Sequence, residues 1–367
     1  MLESELYRPL DIPSFTEHPD YFPGRGLEDR YNVTARMRGR EDVDSLMLMA
    51  HTDTVEIGDP ASWSVDPFGG VMRDGKIYGR GATDDKYAIA AALFIIKLLL
   101  EDGFVPSKNL LFSAYCDEEY GGSHGALAAA LKYPSERIIS MDGHEGEIWN
   151  AASGGGEIKY FFHVKDTVNT AERAARALPI VMDAISTFAQ ARYDELEANP
   201  YYTGTDVPSS SLRYMGLRAG DRGMNLDVGE AYFVFYTDKT REEIWAELHA
   251  LESVIAERLL PLGIIGDGFR AATRFFHYAA CTRDCDTVTT LLSAAEDVGA
   301  KPLSVIGSCL SDLSIIAKYG SPTAVGFGAG RPFAMVGGAH QPDEFIECDT
   351  LVEYTKTLAA YILKMLG

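Results

Sequence analysis

The chain has 367 residues, too many for one small core, so length points to two domains or to one large α/β domain with an insertion. Apolar residues make up 46% and charged residues 24%, the balance of a globular protein in water. A net charge of −21 argues against nucleic acid as a partner, because phosphate binding needs a basic surface; an acidic surface favours cations.

The N-terminal MLESELYRPL has no basic segment followed by an apolar one, so no signal peptide is expected. Tyr31 to Met37 alternates as a strand, and Ser45 to Ala50 (SLMLMA) is a buried run that stops at His51. A helix is predicted from about Asp85 to Glu101, with Gly103 placed to end it. Its apolar stretch, Ala88 to Leu100, is interrupted by Lys97 and is too short to span a bilayer, so no membrane association is expected. Asn109 to Tyr115 reads as a strand that stops at Cys116-Asp117-Glu118-Glu119. A helix around His124 to Lys132 leads to the strand Arg137 to Met141, which stops at Asp142. This alternation predicts an α/β unit with a largely parallel sheet flanked by helices.

The register changes after Gly154-Gly155-Gly156. Glu157 to Val164, Ser209 to Gly216, Glu230 to Tyr236 and Gly268 to Tyr278 read as strands; Thr170 to Glu197 and Thr240 to Glu257 read as helices. Thr240 and Glu243 form a capping box. The order β-α-β-β-α-β predicts an inserted ferredoxin-like α+β domain. Cys281 and Cys285 lie four apart with no second Cys or His pair beside them, so they read as free thiols and not as a zinc knot. Five cysteines in all, an odd number, do not make a disulfide framework, which predicts a cytoplasmic protein. The first domain then resumes: Val288 to Val298 as a helix, Ser304 to Ile306 and Thr323 to Phe327 as strands, and a last helix from Thr350 with Thr350 and Glu353 as its capping box. The expected division is 1–156 and 279–367 for the catalytic domain and 157–278 for the insert.

Each apolar strand of the first domain ends at an acid or a histidine, and in parallel sheets ligands bind at the carboxyl ends of strands. Zinc takes imidazole nitrogen and carboxylate oxygen, and two neighbouring ions can share a carboxylate and a hydroxide that attacks a carbonyl. His51 suits a ligand with Asp53 orienting its other ring nitrogen, or both belong to a solvated turn. Asp84, in the Gly-rich turn GRGATDDK, suits a bridge between metals or a helix N-cap. Asp117-Glu118-Glu119 can supply a ligand and a base on opposite sides of an extended chain, or a solvated acidic turn. Asp142 and His340 complete the set.

Taken together, LMLMAHTDTV, then Trp63, Pro67 and Phe68 with DGKIYGRGATDDK, then FSAYCDEEYGG, GFGAG and AHQPDEFI resemble the co-catalytic zinc amidohydrolases in order and spacing over nearly the whole chain. These include acetylornithine deacetylase, succinyl-diaminopimelate desuccinylase, aminoacylase, glutamate carboxypeptidase, tripeptide aminopeptidase and carnosinase. The resemblance implies two zinc ions, for which cobalt or manganese can substitute, and a small peptide or acylated amino acid as substrate. It gives His51, Asp84 and Asp142 to one ion and Asp84, Glu119 and His340 to the other. Asp53 would orient His51, and Glu118 would be the general base. Asn225 and Gly328 would touch substrate. Relatives pair through the smaller domain, so a homodimer is expected.

Four departures matter. No histidine follows the strand ending at Val164, where relatives carry one that reaches the partner's site; His163 is on the strand itself. Asp238 falls where an Arg that binds a substrate carboxylate is expected, and its charge would repel that group. Only thirty residues precede Tyr31, which predicts a reduced first helix. The fourth motif ends in Asp142, as is common in the aminopeptidases and dipeptidases, where deacylases usually have Glu. The resulting expectation is an aminopeptidase or dipeptidase; an N-acyl amino acid deacylase is the alternative, and a non-catalytic binding relative a third.

Overall fold

The computed structural model describes residues 2–24, 26–220 and 226–367. Its elements begin β1 (Leu2–Tyr7), β2 (Asn32–Met37), β3 (Glu41–His51), β4 (Val71–Arg73), β5 (Lys76–Tyr78), α1 (Lys86–Glu101), β6 (Lys108–Tyr115), α2 (His124–Lys132), β7 (Arg137–Ser140) and β8 (Glu147–Ala152). They continue β9 (Gly154–Val164), α3 (Thr170–Ala198), β10 (Leu212–Ala219), β11 (Val228–Thr237), α4 (Arg241–Leu259) and β12 (Ile264–Ala271). The last are β13 (Ala279–Ala280), α5 (Asp286–Asp297), β14 (Ser304–Ser308), α6 (Leu313–Ile315), β15 (Val325–Phe327), β16 (Phe345–Glu347) and α7 (Cys348–Leu366). No helix among the described residues is long and apolar enough to cross a membrane.

The chain divides into two compact units. One comprises Met1–Ala151, Ala280–Gly307 and Asp312–Gly367; the other comprises Ala152–Ala279 and Ser308–Ser311. In the first, the strand order is β1-β2-β6-β3-β7-β15-β8-β13, with β14 also on β8. The centre, β6-β3-β7-β15, is parallel, whereas β1, β2 and β8 join it antiparallel. Alternation along β3 sends Leu46, Leu48 and Ala50 into the core formed with α1, α5 and α7. Helix α1 meets that core with Ala88, Ala91, Ala92, Ile95 and Leu99, a 3.6-residue rhythm, and each such Ile or Leu contributes about 1.5–3 kcal/mol by leaving water. Gly103, in left-handed backbone, ends the helix.

The second unit is a four-stranded antiparallel sheet in the order β10-β11-β9-β12, threaded β9-α3-β10-β11-α4-β12, which is the ferredoxin-like arrangement. Ile158, Tyr160, Phe162 and Val164 of β9 face the helices, and α4 presents Ile244, Leu248 and Ile255 to them. The Thr240–Glu243 capping box forms as expected.

Several local expectations need correction. Gly154–Gly156 lie within β9 and do not break it: a side chain on Gly155 or Gly156 would strike the backbone of Phe235 or Arg274, so glycine serves close approach. Strand β10 starts at Leu212 because Pro208–Ser210 form a turn of 3-10 helix. Strand β12 ends at Ala271, not Tyr278; past it the chain stays on β9 through the Ala272 N–H on the Glu157 carbonyl at 2.8 Å and a bridge of Phe276 to Gly155. Helix α7 begins at Cys348, and no Thr350–Glu353 box forms, because the Glu353 carboxylate accepts from the Lys301 N–H at 3.1 Å. In place of a first helix, β1 pairs with β2.

Candidate metal centre

Parallel pairing puts the carboxyl ends of β6, β3 and β7 on one rim. His51 is in register with Tyr115, and Met141 N–H bonds Met49 O at 2.8 Å, so the Asp117-Glu118-Glu119 turn and Asp142 emerge beside His51. Asp84 arrives from the turn ahead of α1 and His340 from the loop ahead of β16. The backbone of His340 is left-handed, with φ +65°, and the Asp84–Asp85 peptide is cis.

Asp84 directs one oxygen to each imidazole: Oδ1 lies 2.9 Å from His51 Nε2, and Oδ2 lies 3.3 Å from His340 Nε2. His340 Nε2 is also 2.8 Å from Glu119 Oε2. Donor atoms of His51, Asp84 and Glu119 all fall within 4.8 Å of one another. Asp142 stands outside that trio but close enough that its charge and theirs act on each other.

The electrostatics describe a site short of positive charge. Burial, followed by the charge of Asp84, pushes Asp142 up to about 7. Burial and the nearby Asp312 hold Glu118 well above the usual carboxylate range. Asp85 is raised chiefly by burial. Burial opposes a charged His51 and His340, yet hydrogen bonds to Asp84, and for His340 also to Glu119, outweigh it; His340 reaches about 10 and His51 lies well above its ordinary value. The same bonds hold Asp84 low against its burial. Two imidazoles and several crowded carboxylates, nitrogen and oxygen donors with no thiolate among them, fit hard or borderline divalent cations, which would neutralise that crowding.

Asp53 acts differently from the expectation. Its backbone carbonyl, not its carboxylate, meets His51 Nδ1, at 3.0 Å; the carboxylate is 3.8 Å away, beyond hydrogen-bond range. That carboxylate instead accepts the N–H groups of Glu118 and Glu119, both at 3.2 Å. With Nδ1 donating to a carbonyl, Nε2 is the ring nitrogen turned to Asp84, donating to its Oδ1 here and left to bind a metal that displaces that proton. The N-cap of α1 is Asp85, not Asp84, and its carboxylate takes the His51 N–H at 3.3 Å.

Sequence reasoning missed the pair behind the site, Arg80 and Glu344. Both side chains are buried and in direct contact. Glu344 accepts the N–H groups of Thr83 at 2.9 Å and Asp84 at 3.2 Å, while Arg80 Nη2 donates to the carbonyl of His340 at 3.3 Å. One ion pair thus grips the backbone at both Asp84 and His340. Each residue sits inside a motif, GRG and HQPDE, and the only available signal was a charge of each sign within tight turns.

His124, read as structural, is buried: Nδ1 donates to Asp117 at 2.6 Å and Nε2 accepts from Phe22 N–H at 3.2 Å. Asp117, in left-handed backbone and also held by Arg30, shapes the turn that carries Glu118. His144 packs edge-on against Trp149. Gly328 is buried, and a Cβ there would collide with Gly143 and the Tyr87 hydroxyl, so its smallness lets two backbones touch beside Asp142. Asn225 lies outside the described residues. In the second unit, His163 bonds Asp267 at 2.9 Å and Asp238 accepts from Asn199 at 2.9 Å.

Known proteins resemble this chain in sequence and in fold. A succinyl-diaminopimelate desuccinylase of Methylocella silvestris is 28% identical over 328 residues, covering 83% of this chain and 79% of that one. An M20 family metallo-carboxypeptidase of Sulfolobus solfataricus superimposes with a TM-score of 0.69 at 17% identity, over 91% of this chain and 87% of that one. A tripeptidase of Staphylococcus aureus does so with a TM-score of 0.68 at 19% identity, over 99% and 88%. The family profile described as peptidase family M20/M25/M40 matches residues 47–364, and the chain belongs to that family of hydrolases.

Proposed function

We propose that the chain is a two-zinc peptidase that hydrolyses an amide bond in a dipeptide or another short peptide, as an aminopeptidase or dipeptidase. The observation that carries this reading is the single carboxylate of Asp84 shared between His51 and His340, at 2.9 and 3.3 Å. His51, Asp84 and Asp142 would hold one ion and Asp84, Glu119 and His340 the other; cobalt or manganese suits the same donors. When bound, such a pair polarises the scissile carbonyl and acidifies the attacking water.

The chain's own residues supply the proton handling. Glu118, on the turn whose N–H groups Asp53 holds, would take the water's proton and return it to the departing amine nitrogen. Asp53 fixes the Glu118 and Glu119 backbone with its carboxylate and the His51 tautomer with its carbonyl. Asp142 in place of Glu, and Asp238 in place of Arg, favour peptides over substrates recognised by a second carboxylate.

A second reading, an N-acyl amino acid deacylase, draws support from the desuccinylase that is 28% identical over most of the chain. A non-catalytic relative is disfavoured because every ligand and the base are present. Zinc analysis should find close to two ions per chain, and Glu118→Ala should abolish turnover with both retained; an active variant removes Glu118 as the base. Dipeptides, tripeptides and N-acetyl and N-succinyl amino acids tested side by side decide the substrate, and cleavage confined to the acylated set overturns the peptide reading.

The same proposal includes a homodimer paired through the second unit, where β10 is an edge strand with Met215 and Leu217 exposed. It also includes a cytoplasmic location, since no disulfide joins the five cysteines. Analytical ultracentrifugation reads the first, with a monomer at all concentrations opposing it. Cell fractionation reads the second.

A further inference from the structure

Away from the metal centre, Cys281 and Cys285 bring their sulfur atoms to 3.2 Å. Both belong to the first unit. Their surroundings differ in a way that divides the work. Cys281 is buried, and its backbone is pinned from both sides: its N–H bonds the carbonyl of Asn150 at 2.8 Å, and its carbonyl accepts the Asn150 side-chain amide at 2.9 Å. Cys285 is half-exposed, follows the exposed turn Thr282–Asp284, and is the N-cap residue of α5. The turn is closed by Cys285 N–H on the Thr282 carbonyl at 3.0 Å. A helix N-terminus stabilises negative charge, and a thiolate placed there is the reactive form of cysteine.

We propose that Cys281 and Cys285 form a redox-active dithiol whose substrates are small-molecule disulfides, with Cys285 as the attacking thiol and Cys281 as the resolving one. In the first step the Cys285 thiolate attacks one sulfur of the disulfide, forms a mixed disulfide and releases one thiolate. In the second, Cys281 loses its proton, attacks the Cys285 sulfur and expels the second thiolate, which that proton neutralises. The protein dithiol is oxidised by two electrons and the small disulfide is reduced to two thiols. The assignment of roles follows exposure, and the proton affinities agree with it. The thiol of Cys281, then the N–H groups of Val288 and Thr287 working against burial, hold Cys285 down at about 6, whereas the bond to Cys285 and burial hold Cys281 far up. Cys116, by contrast, is pushed up to about 12 by burial and by Asp117. The inference does not depend on the metal centre.

The test uses the zinc-loaded protein and oxidised glutathione, followed by peptide mapping. The expected result is one disulfide joining residues 281 and 285, with two glutathione molecules released for each protein oxidised. Cys281→Ser should stall with one glutathionyl group on residue 285, and Cys285→Ser should form neither the link nor an adduct at 281. At pH 6, Cys285 should be alkylated roughly tenfold faster than an ordinary exposed thiol, after allowing for the lower nucleophilicity of a weakly basic thiolate. Mapping the unsubstituted protein remains decisive if a serine variant does not fold. Oxidation that leaves 281 and 285 unlinked, or adducts that collect on Cys309 or Cys348 first, would overturn the proposal.

Discussion

Replacing Glu344 with Gln tests whether the Arg80–Glu344 pair holds the metal centre from behind. The carboxylate is fully buried and takes three donors: Arg80, the Thr83 N–H at 2.9 Å and the Asp84 N–H at 3.2 Å. An amide keeps the shape but offers one accepting oxygen. Either Arg80 or the two backbone N–H groups then lose their acceptor, and a buried guanidinium is left without a counter-charge. Removing one partner of a buried pair costs about 3–5 kcal/mol. At roughly 2–4 °C per kcal/mol for a domain of this size, Tm should fall by about 6–20 °C. The more specific effect is on metal. Asp84 is anchored through its N–H, and His340 through its carbonyl on Arg80, so both would-be ligands loosen together. Loss of a partner that orients ligands typically costs about 10- to 100-fold in metal affinity. A competition titration against a chromogenic chelator, at a temperature where the variant is folded, measures this. Arg80→Lys serves as a second probe, since one ammonium cannot reach Glu344, the Glu56 carbonyl and the His340 carbonyl together. If either variant folds and binds zinc within twofold of the parent, the pair is only a packing feature and the argument fails.

Further expectations follow from the same geometry. Asp53→Asn should keep its zinc, because the His51 ring rests on a backbone carbonyl, but should lose about 10- to 100-fold in kcat as the Glu118 turn loosens; loss of zinc with retained kcat per bound metal would contradict this. Without metal, Asp142 keeps its proton to about pH 7 where the unfolded chain releases it near 3.8, and His340 stays charged to about pH 10 where the unfolded chain stops near 6.5. Both terms stabilise the chelated protein in acid and fade as pH rises, so the Tm gap between zinc-loaded and chelated protein should widen from about pH 5 to 8; a gap that narrows would refute this. In the second unit, Leu248→Ala empties a fully buried site and should cost about 2–5 kcal/mol in a denaturant titration, with zinc stoichiometry unchanged.

Why some of these features could be read from residues alone, and others not, follows from the range over which each is determined. The rim was legible because it is local. An apolar run that stops at His51, at Asp117-Glu118-Glu119 or at Asp142 records where a buried strand meets water, and parallel pairing then gathers those stops. The Thr240 cap was legible for the same reason, since its partner is three residues away. Thr350 and Glu353 have the same spacing, yet the Glu353 side chain bonds Lys301, fifty-two residues off, and the helix starts earlier. A local preference worth about 1 kcal/mol yields to whichever tertiary partner is nearer.

Distance explains the larger misses as well. Arg80 and Glu344 are 264 positions apart, and nothing in either segment marks the other as its counter-ion. Asp53 lies within sight of His51, but the choice between its carboxylate and its carbonyl depends on the Glu118 and Glu119 N–H groups, which arrive from another strand and claim the carboxylate. Gly155 reads as lying ahead of the strand until Phe235 is seen against it. In each case the residue type was visible, and the neighbour that decides its role was supplied only by the fold. A candidate donor set could therefore be named from the resemblance, because each of the motifs that carry it is local. The groups that hold those donors still could not, because an N–H, a carbonyl or a buried counter-ion can come from any residue that the topology brings near. Substitutions behind the rim, at Arg80, Glu344 and Asp53, consequently test the structure more sharply than substitutions of the ligands, whose loss a sequence comparison alone would anticipate.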